Sequence, residues 1–349
     1  MARKKDDDDD DIFIAEIEGE LDTVSEKALT RAADTVCREC MQIQRKENIL
    51  IVTDPHTSTI GQALYEAAAR ISDRVLLVMM PTTHRHGDEP PAPVAELMRK
   101  QDVVLAPTRY SLTHTRARMQ ACREGTRIAT MPGITMQMFI EGGMTTDFNA
   151  MQSAIAQLGK SLKRQRKVVV KTDTGTNITF EIAGRWELGD NGICNRPGQV
   201  TNLPAGKILA MPKEGTMEGT IVIDGTWDAA VVRKPLTIKV EAGMVTKITG
   251  DGSDDVKAMF VEASRKLKPQ QQPNVWTVAE FGFGMNPRAR LVGNVLEDEK
   301  VQGTCYFAFG DNTSLGGHSS CGVHVTGVIK QPTVNVGDIV LLDDGDIRI

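Results

Sequence analysis

The first half of the chain alternates short, wholly apolar runs with longer stretches in which apolar residues recur at helical spacing. The apolar runs predict four β-strands, at residues 49–54, 74–80, 102–108 and 127–133. Helical patterns are predicted at residues 25–46, 60–71, 94–100, 113–124 and 149–163. Strands that are apolar on both faces and joined by helices are typical of a parallel sheet covered on both sides. We therefore predict an α/β domain over residues 21–165.

The second half of the chain alternates apolar and polar residues one by one. This period of two occurs in VVVKT, NITFEIAG, GTIVIDG, LTIKVEAG and MVTKITG, which Gly, Asp and Asn turns separate. The pattern is typical of an antiparallel sheet with one buried face, and a helix is predicted within it at residues 256–267. We predict an antiparallel β-rich (α+β) domain over residues 166–349, in a chain of the α/β class overall.

Charge and composition exclude several classes of function. An unbroken acidic run at residues 6–11 predicts a disordered tail over residues 1–20, because like charges repel one another. The net charge of −5 and the aromatic content of 4% argue against nucleic acid as a partner. No apolar run approaches the roughly 20 residues of a membrane span, and six scattered cysteines are too few for a disulfide framework. We expect a cytoplasmic protein that acts on a small molecule.

A carboxylate and two histidines in the second half could form a metal site. An apolar run at residues 275–278 predicts a strand that delivers Glu280 at its end, with a tight turn at Gly282 and Gly284. Residues 322–329 predict another strand, which places His324 on the same face as the threonine two residues later. His318 lies just before that strand. A histidine satisfied within a β-rich core is the alternative interpretation.

The first half offers candidate substrate-binding residues after its strands, where ligands of parallel sheets usually bind. Arg109 follows the third predicted strand, and His114 lies in the first turn of the next helix. The helix dipole there disfavours a protonated imidazole, so a neutral His114 could bind substrate or cap the helix. The chain contains neither GxGxxG nor GxxxxGK[ST], so neither a dinucleotide nor a nucleoside triphosphate is implied.

Five segments that recur in one order resemble a known family. They are PAGKILAMPKEGTMEGTIVIDG, VAEFGFGMNPRARL, EDEKVQGT, AFGDN and GVHVTG, and DVVLAPTRYSLTHTRAR and TMPGIT of the first half fit as well. Together they resemble the thermophilic metallo-aminopeptidases of the aminopeptidase T and S type. They equally resemble a relative of those enzymes, the non-haem iron 2,5-dihydroxypyridine 5,6-dioxygenase. The resemblance covers nearly the whole chain and implies a homodimer with a metal site in the cleft.

The resemblance implies a ligand set that this chain keeps only in part. Glu214 in PKEGT, Glu280 in AEFG and His324 in GVHVTG match metal ligands of the peptidases. Tyr306 stands where the peptidases have a histidine, and Thr326 where they have an aspartate. Relative to the dioxygenase, Glu280 replaces a histidine and Thr326 again replaces the aspartate. The thinned set favours one metal ion per chain over two.

Three functions follow from the resemblance. The first is a metal-dependent, aminopeptidase-like hydrolase of a small amide or peptide-like substrate, with Zn²⁺, Mn²⁺ or Co²⁺. In it, Glu214 would be a third ligand or the general base, and Tyr306 would donate a hydrogen bond to the oxyanion. The second is a ring-cleaving dioxygenase whose Fe(II) is held by Glu280, His318 and His324 as a 2-His-1-carboxylate triad. The third is a binding protein with a decayed metal site.

Arginines could orient an acidic substrate. Arg288 and Arg290 in NPRAR, with Arg109 from the first half, could hold a carboxylate in bidentate fashion. Ion pairs with the acidic run at residues 297–299 are the structural alternative for the first two.

Overall fold

The computed structural model describes residues 26–348, so the predicted acidic tail lies outside the described residues. Six helices belong to the first half: α1 (Glu26–Asp34), α2 (Ser58–Ala69), α3 (Ala92–Arg99), α4 (Arg116–Arg123), α5 (Met136–Ile140) and α6 (Phe148–Leu162). A π-helical turn, Thr35–Cys40, extends α1. Five of these helices overlap the predicted ones, whereas α5 was not predicted and the first helix, with its π-helical turn, ends at Cys40 and not at residue 46. α4 begins three residues later than predicted because Thr115 caps it by accepting a hydrogen bond from the Arg118 amide.

The first half forms the predicted parallel sheet. Its strands are β1 (Ile49–Thr53), β2 (Val75–Met79), β3 (Val103–Thr108) and β4 (Arg127–Pro132). A short strand from the second half, β7 (Val200–Asn202), pairs with β4 and completes the order β2-β1-β3-β4-β7. β1 and β3 are buried at every position, which explains why their sequences are apolar throughout. The edge strand β2 is partly exposed. Residues beyond the boundary predicted at 166 thus contribute to the parallel sheet.

An antiparallel sheet of eight strands forms one layer of the second half. Its order is β13-β12-β9-β6-β5-β17-β18-β19. The strands are β5 (Lys167–Lys171), β6 (Asn177–Glu181), β9 (Glu218–Ile223), β12 (Leu236–Glu241), β13 (Met244–Gly250), β17 (Thr333–Val336), β18 (Ile339–Asp343) and β19 (Asp346–Ile347). The helix α7 (Ser253–Arg265) follows β13. The alternating burial of β5, β6 and β12 confirms the predicted sheet with one buried face.

A sheet of six strands forms the other layer and carries the candidate site. Its order is β11-β10-β16-β15-β14-β8. The strands are β8 (Lys207–Ala210), β10 (Thr226–Trp227), β11 (Ala230–Val231), β14 (Val278–Gly284), β15 (Thr304–Gly310) and β16 (His324–Lys330), and the short helix α8 (Val295–Asp298) precedes β15. The adjacent strands β14 and β15 are buried along their whole length. The structure is therefore of the predicted class, a parallel α/β half followed by an antiparallel β-rich half.

The predicted end of β14 is wrong. Glu280 is the third residue of this strand, and Gly282 and Gly284 lie within it instead of forming a turn. Side chains of a strand alternate between its faces, so Phe281 and Phe283 point to the aromatic core. Glu280, Gly282 and Gly284 share the opposite face. A Cβ on Gly282 would overlap the Tyr306 ring, which explains the glycine. Small residues on this face make room for polar side chains from neighbouring strands.

Among residues 26–348, no helix combines the length and the apolar character needed to cross a membrane.

Candidate active site

Glu280 is the centre of the candidate site, because side chains from three neighbouring strands converge on it. The Tyr306 hydroxyl on β15 donates a hydrogen bond to Glu280 Oε1 over 2.5 Å, and Lys207 Nζ on β8 lies 3.4 Å from the same oxygen. Burial, followed by the charge of Glu280, raises the pKa of Tyr306 well above its usual value, so the phenol stays protonated and acts as a donor. Glu280 is 7% exposed, so these partners define its environment.

A second buried carboxylate, Glu299, completes a network of opposite charges. Its Oε2 lies 2.6 Å from Lys207 Nζ and 3.3 Å from Lys300 Nζ, and its Oε1 accepts a hydrogen bond from Thr326 over 2.8 Å. Burial alone would raise the pKa of Glu299, but the two ammonium groups outweigh it and lower that pKa. Likewise, burial lowers the pKa of Lys207, yet the carboxylates around it, Glu299 before Glu280, outweigh burial and raise that pKa well above the usual range.

His324 begins β16 and faces Glu280 at the edge of this network. Its Nδ1 lies 3.0 Å from the backbone carbonyl oxygen of Asp311, a distance at which the ring N–H donates to that oxygen. This bond favours the neutral tautomer with a lone pair on Nε2, which lies 4.0 Å from Glu280 Oε2. The His324 side chain is 40% exposed. The site therefore places an oriented and partly exposed imidazole nitrogen beside a buried carboxylate.

The loop before β16 fixes the position of His324. Asp311 Oδ2 accepts hydrogen bonds from the amides of Cys321 and Gly322, and its Oδ1 accepts from the amide and hydroxyl of Thr313. Burial would raise the pKa of Asp311, but these hydrogen bonds prevail and lower it. The ionised carboxylate thus closes the loop from residue 311 to residue 322, and its own carbonyl orients the imidazole.

His114 from the first half also faces this site. It lies before α4, not in its first turn, and the cap of that helix is Thr115. Desolvation lowers the pKa of His114, and the charges of Arg118 and His324 lower it further, whereas Glu280 raises it. His114 therefore lies close enough to Glu280 and His324 for an electrostatic interaction, and its lowered pKa favours the neutral imidazole.

The predicted ligands Glu214 and His318 form a separate pair. The His318 amide donates to Glu214 Oε1 over 3.1 Å, and its ring Nδ1 lies 3.4 Å from Glu214 Oε2. Asn312 also donates to Glu214, and these hydrogen bonds lower the pKa of the carboxyl group. The side chain of His318 is 92% exposed. The structure therefore brings Glu280 together with His324, but it does not add Glu214 and His318 to them.

The three predicted substrate-binding arginines lie apart from Glu280. Arg109 Nη1 is 3.0 Å from His56 Nε2, and the Arg109 backbone amide donates to Asp54. Arg290 forms an ion pair with Glu141 over 3.0 Å, while its backbone amide donates to Glu297 Oε1. Arg288 is exposed on the same loop. Their proposed role toward a substrate carboxylate stays a prediction.

The donor set at Glu280 does not fit a divalent metal ion. Among residues 26–348, no three His, Cys, Asp or Glu side chains meet in an arrangement that could hold a metal. One oxygen of Glu280 is already occupied by Tyr306 and Lys207, and the Thr326 hydroxyl is engaged with Glu299. A metal site needs carboxylates or imidazoles that are not neutralised by a neighbouring cation. The divalent ion implied by the resemblance has no complete ligand set here.

Lys207, Glu299 and Lys300 were not singled out by the sequence analysis. Glu299 and Lys207 are separated by 92 residues along the chain, so no local spacing connects them. One signal was available: Lys207 interrupts the otherwise apolar segment from Ala205 to Met211. A charged residue within an apolar strand is rarely buried without a partner, which would have prompted a search for one.

Two surface clefts lie away from this site. One, of about 510 Å³, is lined by residues that include Arg185, Met211 and Leu315. The other, of about 470 Å³, borders α2 and β2. Neither is lined by Glu280 or His324, and neither contains a convergent group of titratable side chains of the kind found around Glu280. The polar network is the better candidate for chemistry.

Comparison with known proteins identifies the family. The NicX family model, described as 2,5-dihydroxypyridine 5,6-dioxygenase, matches residues 28–349. The chain belongs to this family. The 2,5-dihydroxypyridine 5,6-dioxygenase of Pseudomonas putida strain KT2440 is 23% identical over 200 residues, which are 53% of this chain and 55% of that protein. The match thus spans about half the length of this curated relative.

Solved structures share the fold of this member of the 2,5-dihydroxypyridine 5,6-dioxygenase family. The 2,5-dihydroxypyridine dioxygenase of Pseudomonas putida KT2440 has a TM-score of 0.76 at 19% identity, covering 93% of this chain and 98% of that one. Wild-type AmpT from Thermus thermophilus has a TM-score of 0.69 at 15% identity, covering 93% and 100% of the two chains. The family membership and the aminopeptidase-like fold both confirm the resemblance inferred from the sequence motifs.

Proposed function

We propose that this chain is a ring-cleaving dioxygenase of a hydroxylated N-heteroaromatic compound, and that His324 accepts the proton of the substrate hydroxyl. The observation that carries the proposal is the His324–Glu280 pair, in which the Asp311 carbonyl orients the ring through Nδ1 and Nε2 lies 4.0 Å from a buried carboxylate. The family description supports the substrate class. The aminopeptidase-like hydrolase has weaker support, because it rests on a fold match at 15% identity.

The chemistry requires proton transfer before oxygen reacts. Nε2 of His324 takes the proton from a ring hydroxyl, and the Glu280 carboxylate stabilises the resulting imidazolium. The deprotonated ring is electron-rich and transfers one electron to O₂. The two radicals combine at a ring carbon, and cleavage of an adjacent ring bond keeps both oxygen atoms in the product. The substrate supplies all the electrons, so the reaction needs no separate reductant.

The other side chains have supporting roles in this proposal. Tyr306 is fully buried and donates to Glu280, so it holds that carboxylate in place instead of donating to a substrate oxyanion. The neutral His114 on the opposite side of the cleft can donate to, or accept from, a ring heteroatom. Glu214 lies with His318 and takes no part in the proton transfer.

Oxygen consumption with 2,5-dihydroxypyridine tests the function. We expect the wild type to consume one O₂ per substrate in the presence of a chelator, and His324→Gln to lower kcat by about 100-fold or more, the usual contribution of a general base. Glu280→Gln should also lower kcat, because it removes the charge behind the imidazole. The exposed His84, changed to Gln, is the matched control and should leave the rate unchanged.

Two results would contradict the proposal. Wild-type protein that neither consumes oxygen nor changes the substrate spectrum, while still binding it, would support the binding-protein alternative. Full activity in His324→Gln would show that the proton acceptor lies elsewhere.

A further inference from the structure

The polar network around Glu280 has a balanced set of charges, which a site prepared for a metal ion lacks. We call the four side chains of Lys207, Glu280, Glu299 and Lys300 the buried charge cluster. Two carboxylates face two ammonium groups, and each of the four side chains is at most 13% exposed. Buried charges of this kind persist only when they are paired. The cluster is therefore neutral without any added ion.

Lys207 is the member that joins the two carboxylates. Its Nζ lies 2.6 Å from Glu299 Oε2 and 3.4 Å from Glu280 Oε1, and it lies 5.0 Å from the centre of the Tyr306 ring. Lys300 contacts only Glu299 among these carboxylates, over 3.3 Å. The Lys207 ammonium therefore lies between two buried carboxylates, which is where a bridging divalent ion would otherwise bind.

We propose that the Lys207 ammonium replaces a metal ion as the fixed cation of this site, so that the native protein binds no divalent ion between Glu280 and Glu299. This inference deepens the proposed function, because it assigns Lys207 as the positioning residue that holds the Glu280 carboxylate beside His324. Lys207 itself is covered by Glu280, Glu299 and Tyr306, so it does not touch the reacting atoms. Burial raises the pKa of the neighbouring Asp190, which shifts that carboxyl group towards its uncharged form.

The register of the sheet explains why the residue at position 207 determines whether an ammonium group or a metal ion lies between the two carboxylates. Lys207 pairs with Gly284, and Glu280 pairs with Ala308, which in turn pairs with Thr326. Directly paired residues lie on the same face of a sheet. Glycine and alanine at two of these positions leave space that the long Lys207 side chain fills. A carboxylate at position 207 would instead face Glu280 and Glu299, and with His324 it would complete four ligands of the types that Zn²⁺ and Co²⁺ accept.

Metal binding by Lys207→Glu tests the inference without any turnover. We expect the wild type to retain far less than one equivalent of Zn(II) or Fe(II) after anaerobic incubation and desalting. Lys207→Glu should retain about one equivalent, bind Zn(II) at least 100-fold more tightly than the wild type in calorimetry, and give a Co(II) absorption spectrum typical of an oxygen- and nitrogen-ligated site. Lys213→Glu is the matched control. It removes an exposed lysine that pairs with Glu181, and it should bind no more metal than the wild type.

Lys207→Met provides a second variant should the added carboxylate prevent folding. It keeps the volume but removes the cation, so Zn(II) should raise its melting temperature while leaving that of the wild type unchanged. Wild-type protein that holds one equivalent of metal and loses it in Glu280→Gln would overturn the inference. Folded Lys207→Glu and Lys207→Met that both fail to bind metal would overturn it as well. Because these measurements need no substrate, they can succeed even where the dioxygenase assay fails.

Discussion

At the scale of single residues, the sequence predicted the positions of the charged site residues better than the role of the glycines beside them. Glu280 and His324 were correctly expected near each other, because one lies on a strongly apolar strand and the other at the start of a second predicted strand. Gly282 and Gly284 were misinterpreted, since glycine is as common in tight turns as at close approaches of two chains. The Tyr306 ring that requires Gly282 lies on another strand, so the reason for this glycine is absent from its local sequence.

Gly282→Ala should destabilise the protein through that contact. The new methyl group would overlap the Tyr306 ring, and overpacking of a buried site costs roughly 1–3 kcal/mol. Gly189→Ala is the matched control, because a methyl group added there would meet no atom within 4 Å and its φ is not positive. Urea unfolding of both variants measures the difference. Equal stability of Gly282→Ala and the wild type would show that Tyr306 can move without cost.

At the scale of elements, β16 and the loop before it determine the imidazole position. The predicted alternation placed His324 and Thr326 on one face, and the register with β15 confirms this, since they oppose Gly310 and Ala308. The loop could not be predicted, because its hydrogen bonds from Asp311 reach residues up to 11 positions away in a Gly- and Ser-rich segment without periodicity. Nor could the sequence show that Glu214 accepts hydrogen bonds from Asn312 and His318 of that loop and does not join the Glu280 pair.

Asp311→Asn should loosen this loop in a pH-dependent way. The folded protein lowers the pKa of Asp311, so the carboxylate contributes stability above its usual pKa of about 3.9, and this contribution is lost as pH falls below that value. The variant should therefore be less stable than the wild type at pH 7, and the difference should shrink as pH falls from about 3.9 through the lowered pKa of the folded protein. Melting temperatures across this range measure the effect. A constant difference between the two proteins would mean that the Asp311 charge does not hold the loop.

At the scale of the whole molecule, the two halves are less separate than the sequence patterns indicate. The parallel and antiparallel sheets were both predicted from periodicity, which depends on burial of strand faces and is therefore visible locally. The return of β7 to the parallel sheet was not predicted, because a strand of three residues has no measurable period. The boundary at residue 166 marks a change of pattern, while the chain crosses between the two sheets again near residue 200.

Asn286 forms a buried polar connection between the two halves. Its side-chain amide donates to the carbonyl oxygens of Gly143 and Ala205 over 2.9 and 2.8 Å, and its Oδ1 accepts hydrogen bonds from the amides of Arg288 and Ala289. Asn286 is completely buried, so water cannot replace these partners. The loop after β14 is thereby tied to the segment between α5 and α6.

Asn286→Ala should weaken both the fold and the site. The variant leaves buried carbonyl and amide groups without partners, which costs on the order of 3 kcal/mol. Asn191→Ala is the control, because the hydrogen bonds of Asn191 stay within its own loop, to Leu188 and Ile193, and its loss should cost about 1 kcal/mol. Since His114 and His324 come from opposite halves, Asn286→Ala should also raise the KM for 2,5-dihydroxypyridine more than Asn191→Ala does. Urea unfolding and steady-state kinetics of the two variants decide the matter: equal effects would show that Asn286 stabilises only its own loop and that other contacts align the two histidines.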